Sequence, residues 1–139
     1  MREFVKVGEP AKVEEWRDSW LQRGMKLLTG LQLPATPDVA SDPFFGRSGR
    51  MMAANQVEQK LKFEITVPVI SEQKPTAVCS FNWHQEHFTS VFGIKRHDGS
   101  AAHTACLGFG LERVTMALIK THGFDLDAWP AGVRALLWP

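Results

Sequence analysis

The chain has 139 residues, of which 44% are hydrophobic and 22% are charged, and its formal net charge at pH 7 is +1. This length suits one ordinary domain with a buried core, and the near-neutral charge argues against a nucleic-acid partner, tRNA included. No apolar run approaches the roughly 20 residues that a membrane-spanning helix needs, and the N-terminal segment lacks an apolar signal-peptide core. The two cysteines are too few for a disulfide framework and favour a reducing, cytoplasmic location.

The first thirty or so residues are predicted to form a strand followed by helical structure. Residues 2–7 alternate between polar and apolar side chains, which is typical of a strand. Pro10 suits the first turn of a helix with an apolar face, and Gly24 is expected to end that helix. Residues 25–33 fit a further short helix.

The middle of the chain is predicted to contain a basic loop and a strong strand. Residues 41–59 are rich in turn-forming residues and carry Arg47 and Arg50, so the loop is either a solvated basic segment or one that faces an anion. Leu61 to Ile70 is apolar and β-branched, which predicts a strand.

Further strands are predicted after this segment. Thr76 to Phe81 begins one of them, Ser90 to Arg96 fits another, and residues 97–100 resemble a hairpin turn. Polar side chains cluster immediately after the first of these strands, at Asn82, His84, Gln85 and His87. This cluster is either a hydrogen-bonded strand end or a rim that faces a substrate.

The segment from His103 to Lys120 is predicted to be a buried strand, a bend with two glycines, and a helix whose first turn carries Glu112 and Arg113. Residues 127–137 predict a short C-terminal helix with Pro130 near its start. The order of elements predicts an α+β fold, a mainly antiparallel sheet flanked by helices.

A metal site is one interpretation of Glu3 and Cys106. If the first strand and the strand at 103 are neighbours, the carboxylate and the thiolate could share a zinc ion. Alternatively, Cys106 is a small buried apolar residue and Glu3 an ordinary exposed carboxylate. Two protein ligands are too few, so a third would have to come from Cys79, a histidine, or sequence outside this chain.

Gly108-Phe109-Gly110-Leu111-Glu112-Arg113 resembles the third signature motif of class II aminoacyl-tRNA synthetases. Across nearly the whole chain, the stretches REFVKVG, SDPFFGRSGRMMAANQVEQKLKFEITVPV, SFNWHQEHF and HTACLGFGLERVTMAL resemble the amino acid–[carrier protein] ligases, synthetase-like bacterial proteins without a tRNA-binding arm. The resemblance implies a class II catalytic core. It also implies ATP-dependent activation of glycine or alanine, followed by transfer to the phosphopantetheine thiol of a carrier protein.

The resemblance implies roles at ATP for four residues. Arg113 would be a catalytic residue that contacts ATP, and Glu64 would be catalytic near ATP and Mg²⁺. Arg2 would bind ATP on the second strand of an ATP-binding hairpin. Phe4 would lie under the adenine ring, with Arg113 above it.

The resemblance also implies a metal and an amino-acid subsite. Glu3 and Cys106 match two zinc ligands of the family, and the zinc would hold the α-amino group of the substrate. Asn82 and His84 match substrate-side positions. Carrier-protein contact is expected at the helix over residues 129–137.

Several family features should precede Met1, among them the first zinc cysteine and an ATP-binding arginine. The chain is therefore expected to be the C-terminal half of one catalytic domain, with residues 1–139 as a single, partial unit. Three alternatives stay open: a ligase domain that depends on the missing half, a binding module without turnover, and a seryl-tRNA synthetase fragment, which the charge disfavours. A homodimer is compatible with the family, while the amino acid, the retention of zinc with two ligands and the oligomeric state are not determined by the sequence.

Overall fold

A computed structural model describes all residues, 1–139. Five strands form one sheet in the order β1-β5-β4-β3-β2, and every neighbouring pair is antiparallel. The strands are β1 (Arg2–Gly8), β2 (Thr36–Val39), β3 (Lys62–Val67), β4 (Thr76–Gln85) and β5 (His103–Phe109). The helices are α1 (Pro10–Gly30), α2 (Gly49–Glu58), α3 (His87–Phe92), α4 (Leu111–His122) and α5 (Ala131–Leu137), with a 3₁₀ turn at Leu126–Ala128. The predicted α+β class is confirmed.

The hydrophobic core lies between one face of the sheet and the helices. Phe81, Ile65 and Leu107 are fully buried there, and they pack in one cluster with residues of α1, α4 and α5. Since side chains alternate across a strand, the core takes alternate residues of β3, β4 and β5, except that the consecutive residues Val78 and Cys79 of β4 both belong to it. We call this side of the sheet the helix face.

Helix α1 is longer than predicted because Gly24 does not end it. The helix continues to Gly30 and absorbs most of the predicted short helix at 25–33. A Cβ atom at Gly24 would lie 2.8 Å from Cζ of Phe81 and 3.2 Å from Cδ1 of Ile65. The glycine therefore allows the helix to approach the sheet closely.

Two other predictions of secondary structure are wrong. Residues 90–96 were expected to be a strand, but α3 occupies residues 87–92 and ends at Gly93, which has a left-handed conformation with φ of 64°. The predicted loop at 41–59 contains α2, and the short edge strand β2 precedes it. The hairpin-type turn at 97–100 is present, with a hydrogen bond from the amide of Arg96 to the carbonyl of Ser100.

The predicted C-terminal helix is shorter than expected. It begins after Pro130, and a separate 3₁₀ turn covers the residues before it. None of the helices is both long and apolar enough to cross a membrane.

Candidate functional site

The second face of the sheet is polar and carries most of the predicted site residues. Strand register places Glu3 opposite Gly108, Gly108 opposite Ser80, and Ser80 opposite Glu64. In the next row Cys106 lies opposite Asn82, and Asn82 lies opposite Lys62. Directly opposed residues of antiparallel strands point to the same side, so these residues share one surface. We call it the polar face.

Cys106 lies at the centre of the polar face and is partly buried. Nδ2 of Asn82 donates a hydrogen bond to its Sγ over 3.4 Å, and Nε2 of His84 lies 3.5 Å from the same sulfur. Burial raises the pKa of the Cys106 thiol above its ordinary value; the hydrogen bond from Asn82 offsets part of this increase, and the charge and hydrogen bonding of Glu3 raise the pKa again. The thiol is therefore protonated near neutral pH.

His84 follows Asn82 by two residues on β4, so strand alternation places both on the polar face, and a bulge between Trp83 and Gln85 changes the register of β4 at this point. Its Nδ1 lies 3.0 Å from Oγ1 of Thr104. Burial lowers the pKa of His84, and the positive charge of His87 lowers it as well. The imidazole is consequently neutral near pH 7.

Lys62 and Asp42 complete the polar face, and sequence reasoning missed both. Nζ of Lys62 lies 2.5 Å from Oδ1 of Asp42 and 3.2 Å from Oε1 of Glu64. Burial alone would raise the pKa of Asp42, but hydrogen bonds from Gln56 and Lys62 outweigh it and lower that pKa. The two-residue spacing of Lys62 and Glu64 on a predicted strand already places both on one face, so Lys62 was predictable, whereas Asp42 depends on a loop.

A cleft of about 430 Å³ opens at the end of the polar face, where β5 leads into α4. It is lined by the following residues: Met1, Lys62, Glu64, Ala77, Val78, Cys79, Ser80, Gly108, Gly110, Glu112 and Arg113. Nη1 of Arg113 donates a hydrogen bond to the carbonyl of Ala77 over 2.9 Å, and the stem of Arg113 passes over Gly110. The structure therefore brings Arg113 and Glu64, the two predicted catalytic residues, into one cleft.

The predicted stacking of Phe4 opposite Arg113 is not formed. Phe4 points to the helix face, where its ring stacks on Trp20 of α1 with centroids 5.6 Å apart. Arg2 lies on the same side, with its guanidinium carbon 5.3 Å from the centroid of the Phe4 ring. Phe4 alternates with Glu3 along β1, so only one of them can face the site. The predicted ATP-binding positions Arg2 and Phe4 therefore lie away from the cleft.

The zinc prediction is met only in part by the geometry. β1 and β5 are neighbours and bring Glu3 beside Cys106, as expected. Cys79 is no third ligand, because it is buried on the helix face, where burial raises its pKa to about 12. No group of three histidine, cysteine or acidic residues could hold a metal ion. The structure thus brings the two predicted zinc ligands together, but the residues of this chain do not form a complete zinc site.

The remaining predicted residues flank the polar face. Gln85 donates a hydrogen bond to Gln59 near the end of α2 over 3.1 Å, and His87 begins α3. Arg47 precedes α2 and Arg50 lies in its first turn, and both are exposed and form no ion pair. The side chains of Arg47 and Arg50 therefore remain available to an external anion.

Comparison with known proteins shows which proteins this chain is similar to. The chain is 48% identical over 137 residues to amino acid–[acyl-carrier-protein] ligase 1 of Bradyrhizobium diazoefficiens. The aligned region covers 99% of the chain and 42% of that protein. The chain is homologous to part of the amino acid–[acyl-carrier-protein] ligases. Ligase 2 of the same organism is 47% identical, and the chain spans 41% of its length. The chain thus spans less than half of these relatives. No protein-family model matches it.

Seryl-tRNA synthetases share the fold. The type-2 serine–tRNA ligase of Methanococcus aeolicus is 35% identical over 137 residues, covering 95% of the chain and 26% of that protein. The M. kandleri SerRS, solved in complex with A. aeolicus tRNASec, superimposes with a TM-score of 0.78 at 27% identity, over 97% of the chain and 27% of the synthetase. The seryl-tRNA synthetase from Pyrococcus horikoshii, solved with ATP, shares the fold at a TM-score of 0.65 and 16% identity, over 96% of the chain and 30% of that protein. The sheet and its helices are therefore part of a class II synthetase core.

Proposed function

We propose that this chain is part of a ligase that uses ATP to activate a small amino acid, glycine or alanine, and passes it to the phosphopantetheine thiol of a carrier protein. The observation that carries the proposal is the combination of 48% identity to a carrier-protein ligase with a cleft that holds both Arg113 and Glu64. Residues 1–139 would form one partial catalytic unit of a cytoplasmic enzyme.

The reaction has two steps, an adenylyl transfer to the amino acid and then an acyl transfer to the thiol. A carboxylate oxygen of the amino acid attacks the α-phosphorus of ATP, the bond to the β-phosphate bridging oxygen breaks, and pyrophosphate leaves. The carrier thiol then attacks the carbonyl carbon of the aminoacyl adenylate and loses its proton, and AMP leaves. Negative charge develops on phosphate oxygens in the first step, and on the carbonyl oxygen and the departing AMP phosphate in the second, so preorganised cations and hydrogen-bond donors accelerate both.

Arg113 is the residue of this chain best placed to bind the nucleotide. Its guanidinium borders the cleft and can hold two phosphate oxygens at once or stack on the adenine. The glycines at 108 and 110 leave room for the nucleotide because neither carries a side chain. Glu64 lies across the cleft, where its carboxylate could orient a magnesium–ATP complex, although Lys62 already pairs with it.

Asn82, His84 and Glu3 are proposed to bind the amino acid beside Cys106. The carboxylate of Glu3 can accept hydrogen bonds from the α-ammonium group, and the amide of Asn82 can donate to the carboxylate. A zinc ion at Glu3 and Cys106 would serve as a Lewis acid that holds the amine, but it requires a third ligand from outside this chain.

A second candidate function is a binding module without turnover. Arg113 is the one cation in the cleft whose charge is not already paired, since Lys62 lies between Asp42 and Glu64. A triphosphate carries several negative charges. One guanidinium can help to bind ATP, but catalysis also requires extra stabilisation of the transition state of adenylyl transfer, for which a single free cation is less adequate.

ATP–pyrophosphate exchange tests the two candidates. Exchange that depends on glycine or alanine, and is lost in Arg113→Ala, would support the ligase. ATP binding by calorimetry without exchange would leave the binding module. The absence of both would refute the assignment of the cleft. Circular dichroism of each variant controls for unfolding.

A further inference from the structure

The surface around the start of α2 is both apolar and basic. Phe45 is 89% exposed, Met51 is 72% exposed and Met52 is 46% exposed. Arg47 and Arg50 lie among them and are also exposed. We call these five residues the α2 surface. Aromatic residues, methionine and arginine are the types that protein interfaces enrich, and methionine adapts to partners of varied shape.

The charge of this surface has one sign. No acidic residue occurs between Pro43 and Val57, and neither Arg47 nor Arg50 forms an ion pair. The rest of the chain holds 14 lysine and arginine residues and 15 acidic ones, so its charges are nearly balanced. The α2 surface therefore complements an acidic partner.

Helix α2 is poorly covered by the rest of the molecule. Gly49 is its only buried residue, and that glycine lies under the carbonyl of Phe44, where a Cβ would approach the oxygen to 2.6 Å. Gln56 holds the helix by hydrogen bonds with Asp42. A helix of ten residues is marginally stable in water without packing, so burial of its apolar side chains by a partner would stabilise it.

The α2 surface is connected to the polar face. Asp42 accepts hydrogen bonds from Gln56 of α2 and from Lys62 of the polar face, so one carboxylate joins the two. At the other end of the helix, Gln59 bonds to Gln85. A partner seated on α2 would thus lie beside the face that carries Cys106, Asn82 and His84.

We propose that the α2 surface docks an acidic helix of the carrier protein. This inference rests on the proposed function, since a carrier protein is the partner that must reach the polar face with its thiol. Arg47 and Arg50 would pair with carboxylates of the docked helix, and Phe45, Met51 and Met52 would contact its apolar residues. The proposal differs from the expectation that the C-terminal helix α5 carries this contact.

The test measures the dissociation constant of a purified, phosphopantetheinylated acyl carrier protein from the full chain by calorimetry. The double variant Arg47→Glu/Arg50→Glu is expected to raise the dissociation constant roughly tenfold or more at low salt, and less at high salt. Arg134→Glu on α5 is the matched control, because Arg134 is also an exposed arginine on a short surface helix. It should change the dissociation constant less than twofold.

Two further measurements make the result decisive. Carrier variants with Glu→Lys changes on an acidic helix should bind the double variant more tightly than they bind the unmodified chain. ATP binding should be the same in all variants, and circular dichroism should show the same helix content.

The proposal would be overturned if Arg134→Glu weakened carrier binding and the double variant did not, because the carrier would then dock on α5. It would also be overturned if the α2 surface joined two copies of the chain. In that case the unmodified chain would be a dimer that does not bind the carrier, and the double variant would be a monomer. A chain that binds ATP but no carrier would overturn the docking site alone. A chain that binds neither would overturn the proposed function with it.

Discussion

Gly24 offers a quantitative test of how α1 packs on the sheet. In an exposed helix interior, glycine to alanine stabilises by about 1 kcal/mol, because alanine has the higher helix propensity. At Gly24 the added methyl would lie 2.8 Å from Cζ of the fully buried Phe81 and 3.2 Å from Cδ1 of Ile65. Overpacking of a filled core costs about 1–3 kcal/mol.

The two effects at Gly24 oppose each other, and the steric one should prevail. Phe81 is enclosed on all sides and its ring cannot withdraw without displacing neighbours. We expect Gly24→Ala to lower the free energy of unfolding by about 1 kcal/mol net, and the melting temperature by a few degrees. Gly132→Ala is the matched control, since Gly132 is helical in α5 and no atom lies within 4 Å of its added Cβ. It should stabilise the chain by about 0.5–1 kcal/mol.

Urea denaturation followed by circular dichroism at 222 nm measures both variants. Their midpoints should move in opposite directions from that of the unmodified chain, with unchanged slopes. If Gly24→Ala were as stable as Gly132→Ala, the inference that α1 lies too close to the sheet at Gly24 to accept a methyl group would be refuted.

Three further predictions concern the site. Arg113→Lys keeps the charge but loses the fork, so the dissociation constant of ATP should rise roughly tenfold, as calorimetry would show. Glu3→Gln removes a charge that raises the Cys106 pKa, so alkylation of this thiol at pH 8 should become faster. The Asp42 carboxyl has a lowered pKa in the folded chain, so the stability it contributes is present above the unfolded pKa near 3.8 and is lost as pH falls through the folded value. Asp42→Asn should therefore flatten the dependence of unfolding free energy on pH below about 4.

Each of these predictions has an internal control. Equal ATP affinity of the Arg113→Lys variant would show that the guanidinium geometry is not used. Cys79, whose pKa of about 12 keeps it unreactive, should stay unmodified during alkylation, and Cys106→Ser should abolish the signal. An unchanged alkylation rate in Glu3→Gln would show that Glu3 does not raise the pKa of the Cys106 thiol. A pH profile of Asp42→Asn that matches the unmodified chain would contradict the hydrogen bonds to Gln56 and Lys62.

The sheet was largely predictable because its signals are local. Alternation over residues 2–7 and the apolar strands at 62 and 103 lead directly to β1, β3 and β5. The helices were harder. A glycine inside a helical pattern looks like an end, and only the position of Phe81, more than fifty residues away, explains why Gly24 continues α1. Helix α2 has few buried residues, so its sequence lacks the apolar stripe that reveals a helix.

The site was predictable in part for similar reasons. The pairing of Glu3 with Cys106 followed once β1 and β5 were assumed to be neighbours. The assignment of both Glu3 and Phe4 to the site conflicts with alternation, which the family resemblance obscured. The two-residue spacing of Asn82 and His84 predicts that they share a face, whereas Asp42 reaches the polar face through a loop, which has no reliable sequence signal.

Along β5, side chains alternate between the helix face and the polar face. Leu107 and Ala105 are fully buried and contribute to folding, while Cys106 and Gly108 lie on the polar face, away from the core. Substitutions on the polar face can accumulate with little effect on stability. Deletion of a single residue within this strand would exchange the two sets, placing the thiol in the interior and leucine on the polar face, so the strand tolerates changes of residue type far better than changes of length.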